Sequence, residues 1–552
     1  MRLFFTVLAG ICFTALPLGA QQSAEPGQIE RQIEQSKPSL RPAETEIRLL
    51  PDQPVRTAGP TDDRFVLAAV VLDGATVFDP VDFAPYYEDL LAREITLADI
   101  ENILARITKK YRDEGYVLSR AIAPPQNLAA GVVRITVIEG YVDQIIYEGQ
   151  DFPQDAVDIY ARRIKAERPL RLEALERSIL LINNTAGLRV EPRLRAIDAD
   201  NGRYAVVLRT THTPVDGFAF VDNRGTPAVG RAQGWASVGL NGLLGWRERF
   251  QFGMFTVPTQ PSELMYLEGS FTQAVGDDGL SYALQLSQTA VDPGSEQNIL
   301  GVESAATHAQ FRLRYPLILA SKQNLWVKGA FDYQDSVQTA FDRTTSDDRQ
   351  RVFRAGFDYW LTHGSGSTNL TAQVSQGLNI LDATEQGSRN LSLADGRSDF
   401  TKLTGNITRQ QALFGNVGLQ AQVGGQWSAQ PLLAGEEMGL GGTQYGRAYD
   451  FSEVTGDSAV AGSLELHYTA NTGMKWLSAY QAYTFYDLGS VWNDVAGDGT
   501  TRDSVSSVGG GARFIITPQF RINLEIAKPL TREVNTRDST GTRAFLNVTA
   551  IF

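Results

Sequence analysis

The chain has 552 residues, with 50 Lys and Arg against 63 Asp and Glu and a formal net charge of −13. That length implies more than one domain, and that balance of charge argues against a nucleic-acid partner, whose phosphates are met by Lys and Arg. One cysteine, Cys12, rules out a disulfide framework.

Read in order, the chain opens Met1-Arg2-Leu3-Phe4-Phe5 and stays apolar to Leu18-Gly19-Ala20. One cation, an apolar core and small residues at its end read as an export signal over 1–20. Cys12 falls inside it, after Ile11, which disfavours a lipoprotein cut there. Beyond residue 20 no run reaches the 18 or more apolar residues of a spanning helix. Residues 21–36 contain a short polar helical stretch with Ile29 and Ile33. Residues 37–64 hold Pro38, Pro42, Pro51, Pro54 and Pro60 and read as an extended linker, roughly 3 Å per residue.

The pattern changes at Phe65. Phe65–Leu72 reads as a strand, Phe83–Ala92 and Leu97–Glu114 as helices, Val117–Ile122 and Val132–Ile138 as strands. The order repeats: strand Val142–Tyr147, helices Pro153–Ile164 and Leu172–Asn183, strands Leu188–Leu194 and Tyr204–Thr210. This predicts two consecutive βααββ units, repeated in element order but not in residue identity.

From about Gly217 the helical period vanishes and apolar and polar residues alternate, as in Ala309-Phe311-Leu313-Tyr315, Val417-Leu419-Ala421-Val423 and Phe520-Ile522-Leu524-Ile526. Aliphatics on one face and charges on the other fit strands between lipid and a wet lumen. A soluble sandwich alternates in the same way; the export signal, the size of the β region and the aromatic ending, Phe552, favour a barrel in an outer membrane. Spanning strands of about 9–11 residues with their connections give sixteen over 215–552, with fourteen or eighteen also possible.

The connection from Ser428 to Ala459 is long for a barrel, and long loops carry function. It contains Gly439-Leu440-Gly441-Gly442 and Gly446-Arg447-Ala448-Tyr449-Asp450. Further on, Phe485-Tyr486-Asp487-Leu488-Gly489 alternates so that Asp487 faces the lumen if Tyr486 and Leu488 face lipid. A lumen carboxylate and a loop Arg can form a bidentate pair that folds the loop inward. The histidines, His212, His308, His363 and His467, show no metal spacing. There is no HExxH, no nucleophile elbow and no Gly-Lys of a phosphate loop, so neither an enzyme, a metal site nor a cofactor is expected.

On these features the chain resembles the two-partner secretion transporters of the haemolysin and filamentous-adhesin type, within the superfamily of outer-membrane polypeptide-transport barrels. The family's lid motif, Val-Arg-Gly-Tyr or Phe, is aligned with Gly446, Arg447, Ala448 and Tyr449; its Phe-x-Asp wall motif with Phe485, Asp487 and the following Gly489; and a Glu in the strand after the lid with Glu465. Asp222-Asn223-Arg224-Gly225, then Gly230-Arg231, look like the first barrel strand and turn. Gly446 stands for the family's Val and Ala448 for its Gly.

The resemblance implies a mixed fold: a plug helix within 21–36, two α+β POTRA domains at 65–141 and 142–214 in the periplasm, and a transmembrane antiparallel β-barrel at 215–552 in the outer membrane. It implies a pore that secretes and activates a partner exoprotein, a haemolysin or adhesin, bound unfolded by the POTRA domains. It implies insertion by the barrel-assembly machinery, with Phe552 as the terminal signal. Two other readings stay open: an assembly factor that inserts other barrels, which typically carries more than two POTRA units, and a passive porin, which carries none.

Overall fold

Helical periodicity ends near residue 183 and strand periodicity takes over, and the computed structural model follows that division. It describes residues 25–37, 64–294, 301–495 and 499–552. The expected export signal at 1–20 and nearly all of the expected linker at 37–64 lie outside the described residues. No described helix is long and apolar enough to cross a membrane.

Helix α1 spans Pro26–Ser36. Pro26 sits in its first turn, where a missing N–H costs nothing, and the Glu25 side chain accepts from Gly27 N at 3.3 Å.

The first α+β unit comprises β1 (Phe65–Val66), β2 (Ala69–Asp73), β3 (Glu94–Ile95), α2 (Leu97–Asp113), β4 (Arg120–Ile122) and β5 (Val132–Ile138). In α2, Ile100, Ile103, Ile107 and Tyr111 fall on one helical face and are buried against Val133, Ile135 and Val137 of β5. The Asp99 carboxylate accepts from Thr96 N at 2.8 Å and holds the helix start. Three expectations differ from the structure. Phe65–Leu72 is not one strand but two, β1 and β2, which pair in different sheets. Residues 83–92 are not an α-helix but two 3-10 turns, Pro80–Tyr86 and Glu88–Leu90: Pro85 has no N–H for an i→i−4 bond, and Ala92 takes a φ of 60° that ends the run. The strand expected from Val117 starts only at Arg120, because Tyr116 and Ser119 close a turn first.

The second unit has both helices: β6 (Tyr141–Glu148), α3 (Gln154–Ala166), α4 (Leu172–Asn183), β7 (Leu188–Asp198) and β8 (Arg203–His212). The two three-stranded sheets share one topology, β2-β5-β4 and β6-β8-β7, with β2 parallel to β5 and β6 parallel to β8. Only residues 139 and 140 separate β5 from β6. Leu170 N donates to Gly140 O and Leu172 N to Gly115 O, both at 2.9 Å, so the units are fused. The second unit is also docked on the barrel's near rim. Arg177 donates to Asp278 O and Pro316 O, Arg247 donates to the Tyr160 hydroxyl, and Leu319 and Trp326 join its core.

The remaining strands are β9 (Val215–Asp222), β10 (Gln233–Asn241), β11 (Glu248–Thr256), β12 (Leu264–Val275), β13 (Leu280–Val291), β14 (Glu303–Leu319), β15 (Gln323–Ala340), β16 (Arg343–His363), β17 (Gly366–Gly377), β18 (Thr401–Phe414), β19 (Val417–Ser428), the short β20 (Met438–Leu440) and β21 (Val454–Gly456), then β22 (Ser458–Met474), β23 (Leu477–Val495), β24 (Gly499–Thr517), β25 (Phe520–Pro529) and β26 (Arg543–Ile551). All but β20 and β21 close into one sixteen-stranded antiparallel barrel, β26 pairing with β9. Val423, Leu464, Tyr486, Leu488, Leu524 and Ile526 stand exposed on its outer face, while Glu465, Asp487, Ser507 and Glu525 are buried inside. An apolar exterior around a charged interior is the arrangement of a lipid-embedded barrel, opposite to that of a sandwich.

Candidate functional site

The connection between β19 and β22 is not structureless. It folds back into the barrel as a hairpin, β20 pairing with β21, and carries a tip between them. The tip turns at Gly441, Gly442 and Gly446, all with positive φ. A Cβ on Gly441 would meet Asp450 O at 2.0 Å, so only glycine fits. Ala448 is not among the positive-φ residues; the left-handed position in this motif is Gly446 instead. Ala448 is buried against Tyr483, Phe485, Ala527 and Phe545, and the buried Tyr449 receives hydrogen bonds from Thr531 N and Arg532 N on its hydroxyl.

Arg447 reaches the wall. Its backbone N–H and Nε donate to Asp487 Oδ2 at 3.0 and 3.1 Å, and Nη2 donates to Asp487 Oδ1 at 2.9 Å. Nη1 donates to Glu465 Oε2 at 2.7 Å, and the guanidinium lies 3.5 Å over the Phe485 ring. Antiparallel register puts Ser463, Asp487 and Ser507 in one row across β22, β23 and β24. Both hydroxyls donate to Asp487, at 2.8 and 3.2 Å. Arg513 completes the group by donating twice to Glu465. Two carboxylates thus face two guanidiniums. Asp487 is fully buried, and every charge has partners, which is the condition under which buried ions are tolerated. Gly489 lies on the same strand and faces the lid: a Cβ there would meet Leu440 Cδ1 at 2.7 Å.

Helix α1 lies in the lumen between lid and wall. Ile29 and Ile33 pack into a cluster with Phe220, Trp235, Phe255 and Tyr266 of the wall. Its polar side meets the lid: Gln28 Nε2 donates to Ala434 O at 2.8 Å, Arg31 donates to Ala434 O and Gly435 O, and Ser452 Oγ donates to Gln28 Oε1 at 2.7 Å. Lys37 pairs with Glu268 at 2.8 Å.

A charged relay, absent from the sequence reading, runs beside the helix. Glu30 on α1 contacts His308, His308 contacts Asp332, Asp332 pairs with Arg354, and Arg354 and Lys402 both pair with Glu436 at the base of the lid. His308 is a lumen residue between two carboxylates, and no group with metal-ligand geometry occurs among the described residues. The relay's members lie far apart in sequence on four strands, the lid and the helix, and no local pattern announces them. Ser463 and Ser507 were missed for the same reason; a signal exists only in that Ser463 shares the inward face of β22 with Glu465.

The motif at the first barrel strand sits at the barrel's closure. Asp222 ends β9 and pairs with both Gln233 and Asn547. Asn223 bonds to β26, and Gly225 N donates to Arg231 O in the turn that follows. Phe552 follows β26 and exchanges two backbone hydrogen bonds with Gly217. The sequence-predicted residues therefore form three groups: lid and wall together, the helix against both, and the seam motif beside the terminal strand.

Residues 204–514 match the family described as haemolysin secretion/activation protein ShlB/FhaC/HecB, and residues 65–140 match the ShlB-type POTRA domain. The heme/hemopexin transporter protein HuxB of Haemophilus influenzae strain 86-028NP is 21% identical over 93% of this chain and 92% of its own length. The outer membrane transporter CdiB of Escherichia coli is 30% identical over 35% of this chain and 31% of its own length. In fold, the chain is similar to the solved structure of CdiB from Escherichia coli, with TM-score 0.74 at 18% identity, covering 98% of this chain and all of that one. It is similar also to CdiB from Acinetobacter baumannii, with TM-score 0.65 at 14% identity over 98% of this chain and all of that one.

Proposed function

The chain belongs to the haemolysin secretion/activation protein family, and from that premise we propose that α1 and the Arg447 lid together obstruct its export path at rest. It is an outer-membrane β-barrel transporter of the two-partner secretion type, with its POTRA domains in the periplasm. The observation that carries the resting obstruction is the double fixation inside the lumen: Arg447 on Asp487 and Glu465, and α1 wedged by Ile29 and Ile33 against the wall with Gln28 and Arg31 on the lid.

The cargo is a partner exoprotein that crosses unfolded. The outer strands of the POTRA sheets, β2 and β4 in the first and β6 and β7 in the second, offer edges to which an extended segment adds as a further strand. Backbone pairing of that kind accepts many sequences, which suits a chain in motion. Two such units among the described residues fit a secretion pore better than an assembly factor. The barrel-assembly machinery inserts the barrel, reading the terminal strand that ends in Phe552.

Export of a candidate partner exoprotein into the medium, co-produced with this protein or without it, tests the reading. Cargo appears outside the cell only when the protein is present. Arg447→Ala keeps the barrel in the membrane and abolishes export. Equal export without the protein overturns the transport reading, and equal export by Arg447→Ala overturns the role of the lid.

A further inference from the structure

We propose that the inner faces of β17, β18 and β19 form an uncharged track of amides and hydroxyls, against which the extended backbone of the exoprotein slides below the lid. The proposal rests on the transport reading above. β17 and β19 contain no charged residue. On β18, Lys402 is buried on Glu436 at the base of the lid. Arg409 shares the outer face with Leu403 and Ile407 and donates to Thr368 at 2.9 Å. Below Lys402 the ladders stack half-buried Thr, Asn and Gln side chains toward the lumen. Asn369 lies opposite Thr408 and Thr408 opposite Gln422, Thr371 opposite Asn406, and Gln410 opposite Gln420. Gln410 Nε2 donates to Gln420 Oε1 at 3.1 Å, and Thr408 Oγ1 to Asn406 Oδ1 at 3.1 Å. Charge begins at both borders. Asp358 of β16 stands opposite Thr371 and pairs with Lys328 at 2.7 Å. Glu465 of β22 stands opposite Gln420 and pairs with Arg447.

Helix α1 rests on another part of the ring. Ile29 and Ile33 pack on residues of β9 to β12, and Glu30 reaches Ser287 and Thr289 of β13 and His308 of β14. The lid tip, by contrast, touches the upper end of the track. Asn406 Nδ2 donates to the Tyr445 hydroxyl at 2.7 Å, and a Cβ on Gly424 would meet the same oxygen at 2.5 Å, so glycine leaves the seat open. A piece of inserted chain is thus already bound to this wall by a side-chain amide. A carboxamide offers a donor and an acceptor, as a peptide group does, so it meets a backbone whatever side chains follow. Each such bond replaces one to water and is worth little net. No fixed charge on the face attracts or repels acidic or basic stretches. An extended chain is guided there without being trapped.

The test uses the full chain, co-produced with a candidate exoprotein whose C-terminus carries a disulfide-locked domain that stalls it in the barrel. A photoactivatable benzoylphenylalanine replaces Thr408 or Gln420 on the track, or else Thr272 or Ala283, register partners on the inner faces of β12 and β13. Cross-links to the stalled chain form several-fold more often from the track. Equal or stronger cross-linking from Thr272 and Ala283 overturns it. Charge supplies a sign. With a lysine-rich insert in the exoprotein, Thr408→Glu slows export about fivefold, the effect of one partly exposed ion pair, and Thr408→Lys does not. With a glutamate-rich insert the order reverses, and Ala283→Glu shows no preference between the inserts. Equal slowing of both inserts by Thr408→Glu, or the same preference from Ala283→Glu, overturns the track. If Thr408→Glu does not insert, the cross-linking decides alone. The parent protein keeps the two readings apart. If it fails to export the unmodified exoprotein, the transport reading falls; if it exports and the cross-links come from the other wall, only the track falls.

Discussion

Arg447 and Asp487 share three hydrogen bonds, two from the guanidinium and one from the Arg447 backbone N–H, so the carboxylate holds both the side chain and the turn that bears it. The wall side holds the same carboxylate, because Ser463 and Ser507 donate to Asp487 from the two neighbouring strands. A lid tied in this way is located by its backbone as much as by its charge.

Replacing either partner strands buried charge. Arg447→Ala leaves Asp487 and half of Glu465 without a guanidinium, at a cost of about 3–5 kcal/mol to the docked lid. Arg447→Lys is expected to rescue poorly, since a single ammonium cannot serve Asp487 and Glu465 together in the observed fork. Protease sensitivity of the lid in folded, heat-modifiable barrels measures this. The expected order is Arg447→Ala and Arg447→Lys both cleaved, the parent protected; an Arg447→Lys protected like the parent contradicts it.

Gly489 predicts a steric effect. Gly489→Val puts a side chain where Leu440 of the lid now lies, and overpacking of this kind costs about 1–3 kcal/mol. Insertion should proceed, because the barrel ladders do not use that side chain, while lid protection falls. A variant that fails to insert at all would locate the need for glycine in the strand rather than in the lid.

The plug contact has an apolar centre. Ile33 is 1% exposed among Trp235, Phe255 and their neighbours, and Ile33→Ala should weaken seating of α1 by about 2–5 kcal/mol. Bilayer recordings without cargo should show longer open times for Ile33→Ala and little change for the exposed Glu34→Ala, which loses only the Lys37 contact. Equal behaviour of the two variants would remove the plug role.

The first POTRA unit should be sensitive to acid. Burial alone would raise the Glu139 pKa, but hydrogen bonds from Thr76, Tyr111 and Val77 outweigh it and hold the carboxylate below its ordinary 4.5. A depressed folded value means the anion's stabilisation is complete above the unfolded pKa and is lost as pH falls through the folded one. Hydrogen-exchange protection factors across 65–140 in the intact protein, corrected for the intrinsic pH dependence of amide exchange, should therefore fall below about pH 4.5. Glu139→Gln should flatten that dependence. A parent-like acid transition in Glu139→Gln would assign it to another group.

Much of the architecture is legible in the chain because its signals are local. Period-2 alternation from Phe218 to Ile551, the i, i+3, i+4 face of α2, and the change between them at the end of the second unit are each written within a few residues. The Gly446-Arg447 turn and Asp487 between outward Tyr486 and Leu488 are legible for the same reason. Residues 83–92 misled because an apolar helical spacing survives in a segment where Pro85 interrupts the α ladder.

Local residue order sets which face of each strand is apolar, where chain-reversing glycines stand, and which residue types are available inside. Which of them meet is set by the folded ring. Register across strands places Ser463 and Ser507 on Asp487, barrel closure brings Asn223 to Ala544, and an inward-folded lid brings Glu436 to Arg354 and Lys402. Those contacts span tens to hundreds of residues, and a shift of one residue in any ladder would turn the same side chains to the opposite face; closure of the whole ring is what selects the register.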